Sequence, residues 1–280
     1  MTERAAMDPF RTRDHVVGFD AIVATLKQRS QETRARLRHE PDIAYGTAPG
    51  ERLDIFYPAV MKAPAPVHIF IHGGYWRMFS KGDFSFIADT VTAVGAIAVI
   101  VDYVLMPQQR MAVLVDQVRA AVNWVADNIG THGGDPGRLS VSGHSAGAHI
   151  TTWLLDLRDR HSYPHRYQLR SALLLGGLYD LAPLQHSFLQ AEINLTDEEV
   201  ARWTPLAVDH ETATRYRLFV GELETPPFHD QASRLQAKLE ARGADVQYHL
   251  VPATNHMSSV LSLGDPDSFA GRHLADCILG

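Results

Sequence analysis

Cysteine is nearly absent from the sequence, with Cys277 as the single example among 280 residues. One cysteine cannot form an intramolecular disulfide, and no Cys/His cluster has the spacing typical of a zinc site. We therefore expect no metal centre and no cofactor, and we expect Cys277 to be a small buried apolar residue of the last helix. A chain of this length should bury about 75% of its unfolded surface, so it needs no disulfide or metal for stability.

An excess of positive charge is also missing. The formal net charge is −6 with histidine neutral, whereas a nucleic-acid partner would require clustered basic charge. No apolar run is long enough to span a bilayer, and Met1 to Arg13 lacks the apolar core of a signal peptide. The sequence therefore predicts a cytoplasmic protein that binds neither nucleic acid nor membrane.

Short apolar runs alternate with helical segments through most of the chain. Such runs are typical of a parallel sheet covered on both faces, and their alternation with helices indicates right-handed crossovers. The sequence therefore predicts an α/β fold with a mostly parallel central sheet and helices on both faces. The predicted strands are 67–71, 96–101, 139–141, 172–175, 218–220 and 246–251, and the predicted helices between them are 84–94, 111–128, 146–157 and 230–242.

Three further segments complete a predicted single domain of residues 1–280. Residues 1–41 are expected to be an N-terminal helical segment, with one helix over 16–38. The alternation of polar and apolar residues over 52–57 predicts a half-exposed strand. Residues 181–209 separate two strands by more than a simple crossover, which predicts a small cap insertion.

The motif Gly143-His144-Ser145-Ala146-Gly147 follows a predicted strand and precedes a predicted helix. In that context G-x-S-x-G predicts a sharp turn that exposes the serine hydroxyl. The flanking glycines allow neighbouring backbone to approach without a Cβ clash. We therefore predict that Ser145 is a catalytic nucleophile, and the alternative is an ordinary turn serine.

A second glycine-containing stretch, His72-Gly73-Gly74-Tyr75-Trp76, ends the apolar run at 67–71. Adjacent glycines free the backbone to direct N–H groups at one point, and backbone amides stabilise a developing alkoxide with little reorganisation. We predict an oxyanion hole formed by the amides of Gly74, Tyr75 and Ala146, and the alternative is a Gly-Gly turn that binds no ligand. His72 is expected to organise the loop.

The general base should follow the last predicted strand, because after a G-x-S-x-G elbow the acid comes next along the chain and the histidine last. Of 15 histidines, His256 holds that position, and we predict that it is the base. His249 lies within the strand and His273 within the final helix, so both are expected to be structural.

The acid should follow the preceding strand, where Gly221-Glu222-Leu223-Glu224 offers two carboxylates. A carboxylate buried beside His256 would hold the imidazole tautomer and stabilise the imidazolium. We favour Glu224, with Glu222 second and Asp230 a remote third.

These motifs together resemble the hormone-sensitive-lipase-like branch of the α/β-hydrolases, and within it the kynurenine formamidase (arylformamidase) group. The resemblance covers residues 42–280 and implies the α/β-hydrolase fold. It places the acid at the fourth position of Gly-x-x-Asp, which is Glu224 here, and Tyr75 stands where the wider branch commonly has a third glycine. The residues that carry it are His-Gly-Gly-Tyr-Trp, Asp102-Tyr103 after a strand, Gly-His-Ser-Ala-Gly, and Leu-Asp-Ile-Phe-Tyr-Pro at 53–58.

The resemblance implies a serine hydrolase of tryptophan catabolism that cleaves an aryl formamide, such as N-formylkynurenine, to an amine and formate. The alternative is a carboxylesterase acting on small acyl esters, because both reactions pass through a tetrahedral oxyanion. A non-catalytic small-molecule-binding protein with the same fold is a remote third possibility.

Aromatic and basic residues near the motifs predict how such a substrate binds. Trp76, Tyr103 and His144 are the expected pocket, since an aryl group stacks on aromatic rings and a crowded site clashes with acyl chains longer than formyl. Arg77 or Arg110 would hold a substrate carboxylate. Besides the small-molecule substrate, the sequence leaves a homodimer open.

Overall fold

One mixed sheet organises the fold. The computed structural model describes residues 7–158 and 167–280. Their strands are β1 (His39–Ala44), β2 (Arg52–Phe56), β3 (Ala65–Ile71), β4 (Ile97–Val101), β5 (Gly134–His144), β6 (Leu169–Leu175), β7 (Arg215–Gly221) and β8 (Val246–Val251). These strands pair in the order β1-β2-β4-β3-β5-β6-β7-β8, antiparallel among β1, β2 and β4 and parallel from β4 onwards.

Helices cover both faces of this sheet. Successive side chains of a strand point to opposite faces, and β3 shows the consequence: Ile69 and Ile71 join one buried apolar cluster and Phe70 joins the other. The predicted fold class is therefore confirmed. The α-helices of the described residues are α1 (Thr12–His15), α2 (Phe19–Arg36), α3 (Ile87–Ala93), α4 (Met111–Asn128), α5 (Ala146–Thr152), α6 (Gln190–Ile193), α7 (Asp197–Trp203), α8 (Pro226–Ala241), α9 (His256–Leu263) and α10 (Phe269–Leu279).

The half-exposed strand predicted at 52–57 is wrong in its exposure. In β2 the side chains from Leu53 to Phe56 are buried, including Asp54. Asp54 is buried because Lys81 Nζ lies 2.9 Å from one carboxylate oxygen and Arg34 pairs with the other. The polar position of the alternating pattern, Asp54, therefore faces a second buried layer and not water. A charged side chain can be buried in this way when it is paired with an opposite charge.

The two sheet edges also depart from the predicted pattern. Sequence analysis did not anticipate β1, which pairs with β2 through a register shift between Glu40 and Ile43, and proline is tolerated at such edge strands and bulges. At the opposite edge β8 is not covered on both faces as predicted, since several of its residues are partly exposed. An edge strand has a neighbour on one side only, so less of it is buried.

Several helix boundaries differ from the prediction because of local backbone features. α2 begins at Phe19 after Gly18 adopts a left-handed conformation, and α8 begins four residues early at Pro226, a favoured first helical residue. α5 ends at Thr152 rather than at 157. Residues 181–209 hold α6, α7 and the short 3₁₀ helices Ala182–His186 and Pro205–Ala207; their role as a cap stays a prediction.

The structure also bears on the expectations for Cys277, for metal-binding side chains and for membrane-spanning helices. Cys277 is buried in α10, as predicted. Among residues 7–158 and 167–280, no group of three or more His, Cys, Asp or Glu side chains is placed to hold a metal ion. Within the same ranges no helix combines the length and the apolar character needed to cross a bilayer. Residues 1–6 of the segment tested for a leader lie outside the described residues.

Candidate active site

Ser145 lies on the turn between β5 and α5, at the carboxyl edge of the sheet. Its φ of 56° and ψ of −120° are unfavourable for a residue with a side chain, at a cost of about 1–3 kcal/mol. The neighbouring backbone holds this geometry, because Ser145 N donates to Leu175 O at 2.8 Å. A Cβ on Gly147 would stand 2.1 Å from Ile71 O, so only glycine lets α5 pack this closely on β3.

His256 is the first residue of α9, and its neighbours determine its orientation. The side chain of Asn255 caps the helix by accepting hydrogen bonds from Met257 N and Ser258 N at 3.0 and 2.9 Å. The Nδ1 of His256 donates to Glu224 Oε2 at 2.6 Å. This bond leaves Nε2 as the unprotonated ring nitrogen of a neutral His256.

The loop after β7 separates the two candidate carboxylates. Glu224 is buried, and its second oxygen accepts from Gly221 N at 2.8 Å. Glu222 instead accepts a hydrogen bond from Ala253 N at 2.7 Å, and Asp230 is paired with Arg234. The structure therefore brings Glu224, and neither competitor, to His256.

Gly176, which follows β6, completes the walls around this pair. Its φ is +55°, and a Cβ there would lie 3.0 Å from Glu224 Oε1 and 3.2 Å from His256 Cε1. Any larger residue would therefore press against the carboxylate and the imidazole. Sequence analysis missed this residue, because a single glycine after a strand is an ordinary turn signal.

The 72–76 loop carries an unusual run of backbone conformations. Gly74, Tyr75 and Trp76 all have positive φ, at 113°, 51° and 60°, and for bulky residues this is a genuine outlier. His72 anchors the loop: its ring stacks on Tyr103 with centroids 4.4 Å apart, and the Tyr103 hydroxyl donates to His72 O at 2.8 Å. Among the described residues the amides of Gly74 and Tyr75 have no hydrogen-bond acceptor.

A small pocket joins these elements. Its volume is about 20 Å³, which is room for about one water molecule, and it is partly open to solvent. Besides Ser145 and His256, its walls include Thr12, Phe19, Gly74, Tyr75, Met78, Phe79, His144 and Met257.

The segment of residues 7–19, called here the N-terminal segment, borders this pocket through Thr12 and Phe19. Three of its consecutive residues bind three different elements. Asp8 Oδ2 accepts from Phe188 N at 2.5 Å, Pro9 O accepts from Thr225 Oγ1 at 2.7 Å, and Phe10 O accepts from the Tyr75 hydroxyl. The segment therefore spans from residues 181–209 to the Glu224 loop and the 72–76 loop.

His144, the residue before Ser145, contacts His256 directly. It is buried, and its Nε2 donates to His256 O at 2.9 Å. Burial and the nearby His256 lower the pKa of His144 well below its ordinary value, so it stays neutral and adds no charge to the pocket.

Comparison with known proteins identifies the family. A family model described as the alpha/beta hydrolase fold matches residues 68–259. The chain belongs to the α/β-hydrolase family. This hydrolase is 31% identical to a kynurenine formamidase of Danio rerio over 251 residues, which is 88% of this chain and 84% of that protein. It therefore belongs to the same family as that protein.

Two further proteins show how widely the likeness extends. The hydrolase is 33% identical, over 113 residues, to a protein of Oryza sativa subsp. japonica named as an isoprenylcysteine alpha-carbonyl methylesterase; the match spans 40% of this chain and 27% of that protein. A solved structure from a Silicibacter species, named as a proposed thioesterase, has a TM-score of 0.84 at 24% identity and covers 97% of this chain and 98% of that chain. At this level of identity, the structural similarity shows a shared fold and nothing more.

The other predicted site residues of the hydrolase make contacts with other parts of the protein. Trp76, at the end of the 72–76 loop, and Tyr103 are both buried, and the Trp76 indole donates to His149 Nδ1 at 3.2 Å. Their assignment to the substrate pocket stays a prediction. Arg77 pairs with Glu192, and Arg110 binds Glu199 Oε1 at 3.0 Å; both arginines thus hold residues 181–209 rather than standing open to a substrate carboxylate.

Sequence analysis missed five residues that line the pocket of the hydrolase: Thr12, Phe19, Met78, Phe79 and Met257. Thr12 and Phe19 come from a distant part of the chain, whereas Met78 and Phe79 follow the 72–76 loop and Met257 follows His256. No motif marks any of the five. A weak signal was present in Phe10 and Phe19, two aromatic residues in a stretch that also carries several charged residues.

Proposed function

We propose that the chain is a serine hydrolase that cleaves an aryl formamide, such as N-formylkynurenine, to an aryl amine and formate. Ser145 is the nucleophile, His256 the general base and Glu224 the acid that orients it. The observation that carries the proposal is the 2.6 Å contact between His256 Nδ1 and Glu224, in a pocket shared with a strained serine elbow. The similarity to kynurenine formamidase over most of both chains supports the formamide as substrate.

In the first half of the reaction, Ser145 Oγ attacks the formyl carbon while His256 Nε2 takes its proton. The carbonyl oxygen becomes an alkoxide, which the amides of Gly74, Tyr75 and Ala146 stabilise as an oxyanion hole. His256 then gives the proton to the departing nitrogen, so the C–N bond breaks to give the aryl amine and a formyl ester on Ser145. In the second half His256 takes a proton from a water molecule that attacks that ester, and it then gives the proton to Ser145 Oγ as the ester C–O bond breaks and formate leaves.

The size of the pocket favours the smallest acyl group. The pocket volume beside Ser145 is about 20 Å³. A formyl hydrogen fits in such a space, whereas a propyl chain would collide with Phe19, Phe79 or Met257, and overpacking is costly. The aryl amine is larger than this space, so the chain around Thr12 must move aside when substrate binds, while Phe19 stays beside the acyl group. The buried tyrosine ring at position 75 would then border the aryl group.

Hydrolysis of small acyl esters is the second candidate. A partial match to a protein named as a methylesterase favours it, and an ester passes through the same tetrahedral oxyanion. The two candidates differ in the leaving group: an amide nitrogen must be protonated to depart, whereas an alkoxide or phenoxide leaves more easily.

The test is a comparison of kcat/KM for formanilides and for butyryl esters of the same aryl group at one pH. We expect higher kcat/KM for the formanilides, and labelling of the wild-type protein by an organophosphate that is lost in Ser145→Ala. Turnover of butyryl esters without formanilide cleavage would replace the formamidase with an esterase. Wild-type turnover by Ser145→Ala would remove the serine mechanism altogether.

A further inference from the structure

His149 is a buried histidine that the mechanism above does not use. It lies on α5, one helical turn after the nucleophile, and its amide donates to Ser145 O at 3.1 Å. Its side chain is fully buried, and its ring reaches three tryptophans. Trp76 belongs to the 72–76 loop, Trp153 follows α5, and Trp203 ends α7.

The hydrogen bonds around the ring select one tautomer. The carbonyl of Trp203, 2.8 Å from Nε2, can only accept, so Nε2 carries the proton. The indole N–H of Trp76, 3.2 Å from Nδ1, can only donate, so Nδ1 must be unprotonated. The opposite tautomer would place an N–H against the Trp76 indole and leave the Trp203 carbonyl without its donor. The Trp153 indole N–H lies 3.2 Å from His149 Nε2. In this tautomer Nε2 is protonated and has no lone pair that could accept a hydrogen bond from the indole.

The environment keeps His149 neutral, as this arrangement requires. Burial lowers the pKa of His149 to about 4. A second proton on the ring would have to sit on Nδ1, where it would break the bond from Trp76. The acceptor at Nδ1 is therefore present throughout the neutral pH range.

Trp76, which donates its indole hydrogen bond to His149, belongs to a loop with strained backbone. Tyr75 and Trp76 both have φ in the left-handed region, and bulky residues keep such conformations only when surrounding contacts over-determine them. On the backbone side, Trp76 O accepts from Met106 N at 2.7 Å. On the side-chain side, the indole is held by His149. The Trp76 ring meets the His149 ring edge to face at 5.0 Å.

We propose that His149 is a positioning residue, which through the Trp76 indole holds the 72–76 loop so that the Gly74 and Tyr75 amides point at the reacting carbonyl. The inference rests on the proposed function, because it concerns the same reaction. His149 does not touch the substrate; it connects the nucleophile helix to the loop that stabilises the oxyanion. Its bond to Trp203 O extends the same connection to residues 181–209.

A matched pair of variants, His149→Asn and His149→Leu, separates this role from simple core packing. Asparagine and leucine are nearly equal in size, but the asparagine side chain keeps an oxygen acceptor close to the position of Nδ1, while the leucine side chain has none. Both variants lose the donor to Trp203 O, so any effect of that bond is shared. Trp76→Phe removes the donor from the other side, and the double variant Trp76→Phe with His149→Leu measures coupling.

We expect His149→Leu to lower kcat by about 100-fold with KM little changed, since a misplaced group in the reacting geometry has an effect of that order. His149→Asn should lose less than about 10-fold, because a single hydrogen bond from the indole is retained. Affinity for an aryl boronic acid, whose serine adduct places an oxygen at the Gly74 and Tyr75 amides, should fall in parallel with kcat/KM. The double variant should be no worse than Trp76→Phe alone.

Equal kcat for the two His149 variants, or additive losses in the double variant, would overturn the inference. If His149→Leu does not fold, a Trp76→Phe variant with wild-type kcat overturns it, and a Trp76→Phe variant with lowered kcat beside an active His149→Asn supports it. Failure of the proposed function looks different: the wild-type protein itself would neither turn over nor be labelled by an organophosphate at Ser145.

Discussion

The loops at the carboxyl edge of the sheet and the N-terminal segment that covers them are held in different ways. The turn that carries Ser145 is fixed by backbone packed on backbone, as where Ser145 N donates to Leu175 O and where Gly147 lies against Ile71 O. The N-terminal segment is held mainly by side chains that reach backbone atoms, as from Thr225 and Tyr75. Backbone contacts leave little freedom, so we expect this turn to keep its geometry. We expect the N-terminal segment to open more easily, because a few side-chain hydrogen bonds hold it.

The largest expected effect tests the loop side of this comparison through the two glutamates. Glu224→Gln should lower kcat by about 10³- to 10⁴-fold. The carboxylate of Glu224 accepts from both His256 Nδ1 and Gly221 N, and an amide has only one oxygen to offer them. Glu222→Gln should change kcat by less than about 10-fold, because its partner is the amide of Ala253 in the adjacent loop and not the base. Steady-state kinetics on both variants provide the measurement, and a greater loss in Glu222→Gln would reverse the assignment.

A smaller effect tests the covering segment. Phe19 lines the pocket, so Phe19→Ala should raise kcat/KM for butyryl esters relative to formanilides by about 10-fold, the range that one hydrophobic contact gives to substrate discrimination. Val17 lies in the same segment but is 93% exposed, so Val17→Ala is the matched control and should leave the ratio unchanged. Competition between the two substrates in one assay gives the ratio directly. An unchanged ratio in Phe19→Ala would mean that the segment does not limit the acyl group.

The smallest effect concerns stability and pH. Burial lowers the pKa of His68, in β3, to about 3, and that of His210, just after residues 181–209, to about 4. The unfolded chain binds these protons near pH 6.5, so between about pH 4 and 6.5 it holds more protons than the folded chain. The free energy of unfolding should therefore fall as the pH drops through this window, by about 1.4 kcal/mol per pH unit for each such histidine.

Urea unfolding of His68→Gln and His210→Asn between pH 4.5 and 7 distinguishes the two regions. If the sheet and residues 181–210 unfold together, each variant flattens the pH dependence of the free energy of unfolding by the same amount. If residues 181–209 open separately, His210 is protonated without global unfolding, and only His68→Gln flattens the slope. A slope that neither variant changes would contradict the burial of both rings.

The sequence was most informative where function depends on a short stretch of chain. The serine elbow, the Gly-Gly loop and the histidine after the last strand each carry a local signal, and the buried strands appear as continuous apolar runs. Choosing between Glu222 and Glu224 required the turn after β7, because spacing alone places both near the edge of the sheet. Asp54 was misjudged as facing water because its partners, Arg34 and Lys81, come from elements far along the chain.

The contacts of the N-terminal segment and of His149 could not be predicted from the sequence, because they also join residues far apart in the chain. Thr12 and Phe19 reach Ser145 across more than a hundred residues of chain, and nothing in their local pattern records that contact. His149 lies within a predicted helix, where a lone histidine is more often a core residue than a functional one. Its significance arises only when Trp76 and Trp203, from opposite parts of the sequence, meet its two ring nitrogens.

The close approach at Gly147 and Gly176 has a practical consequence for changing what this hydrolase accepts. At both positions even one methyl group would meet backbone or the Glu224 carboxylate, so a mutant library that varied them would consist largely of inactive members. Thr12, Phe19, Met78 and Phe79 border the same space with flexible or replaceable side chains. Saturation mutagenesis directed at those four residues would vary the shape of the pocket while leaving the backbone that positions Ser145 and His256 untouched.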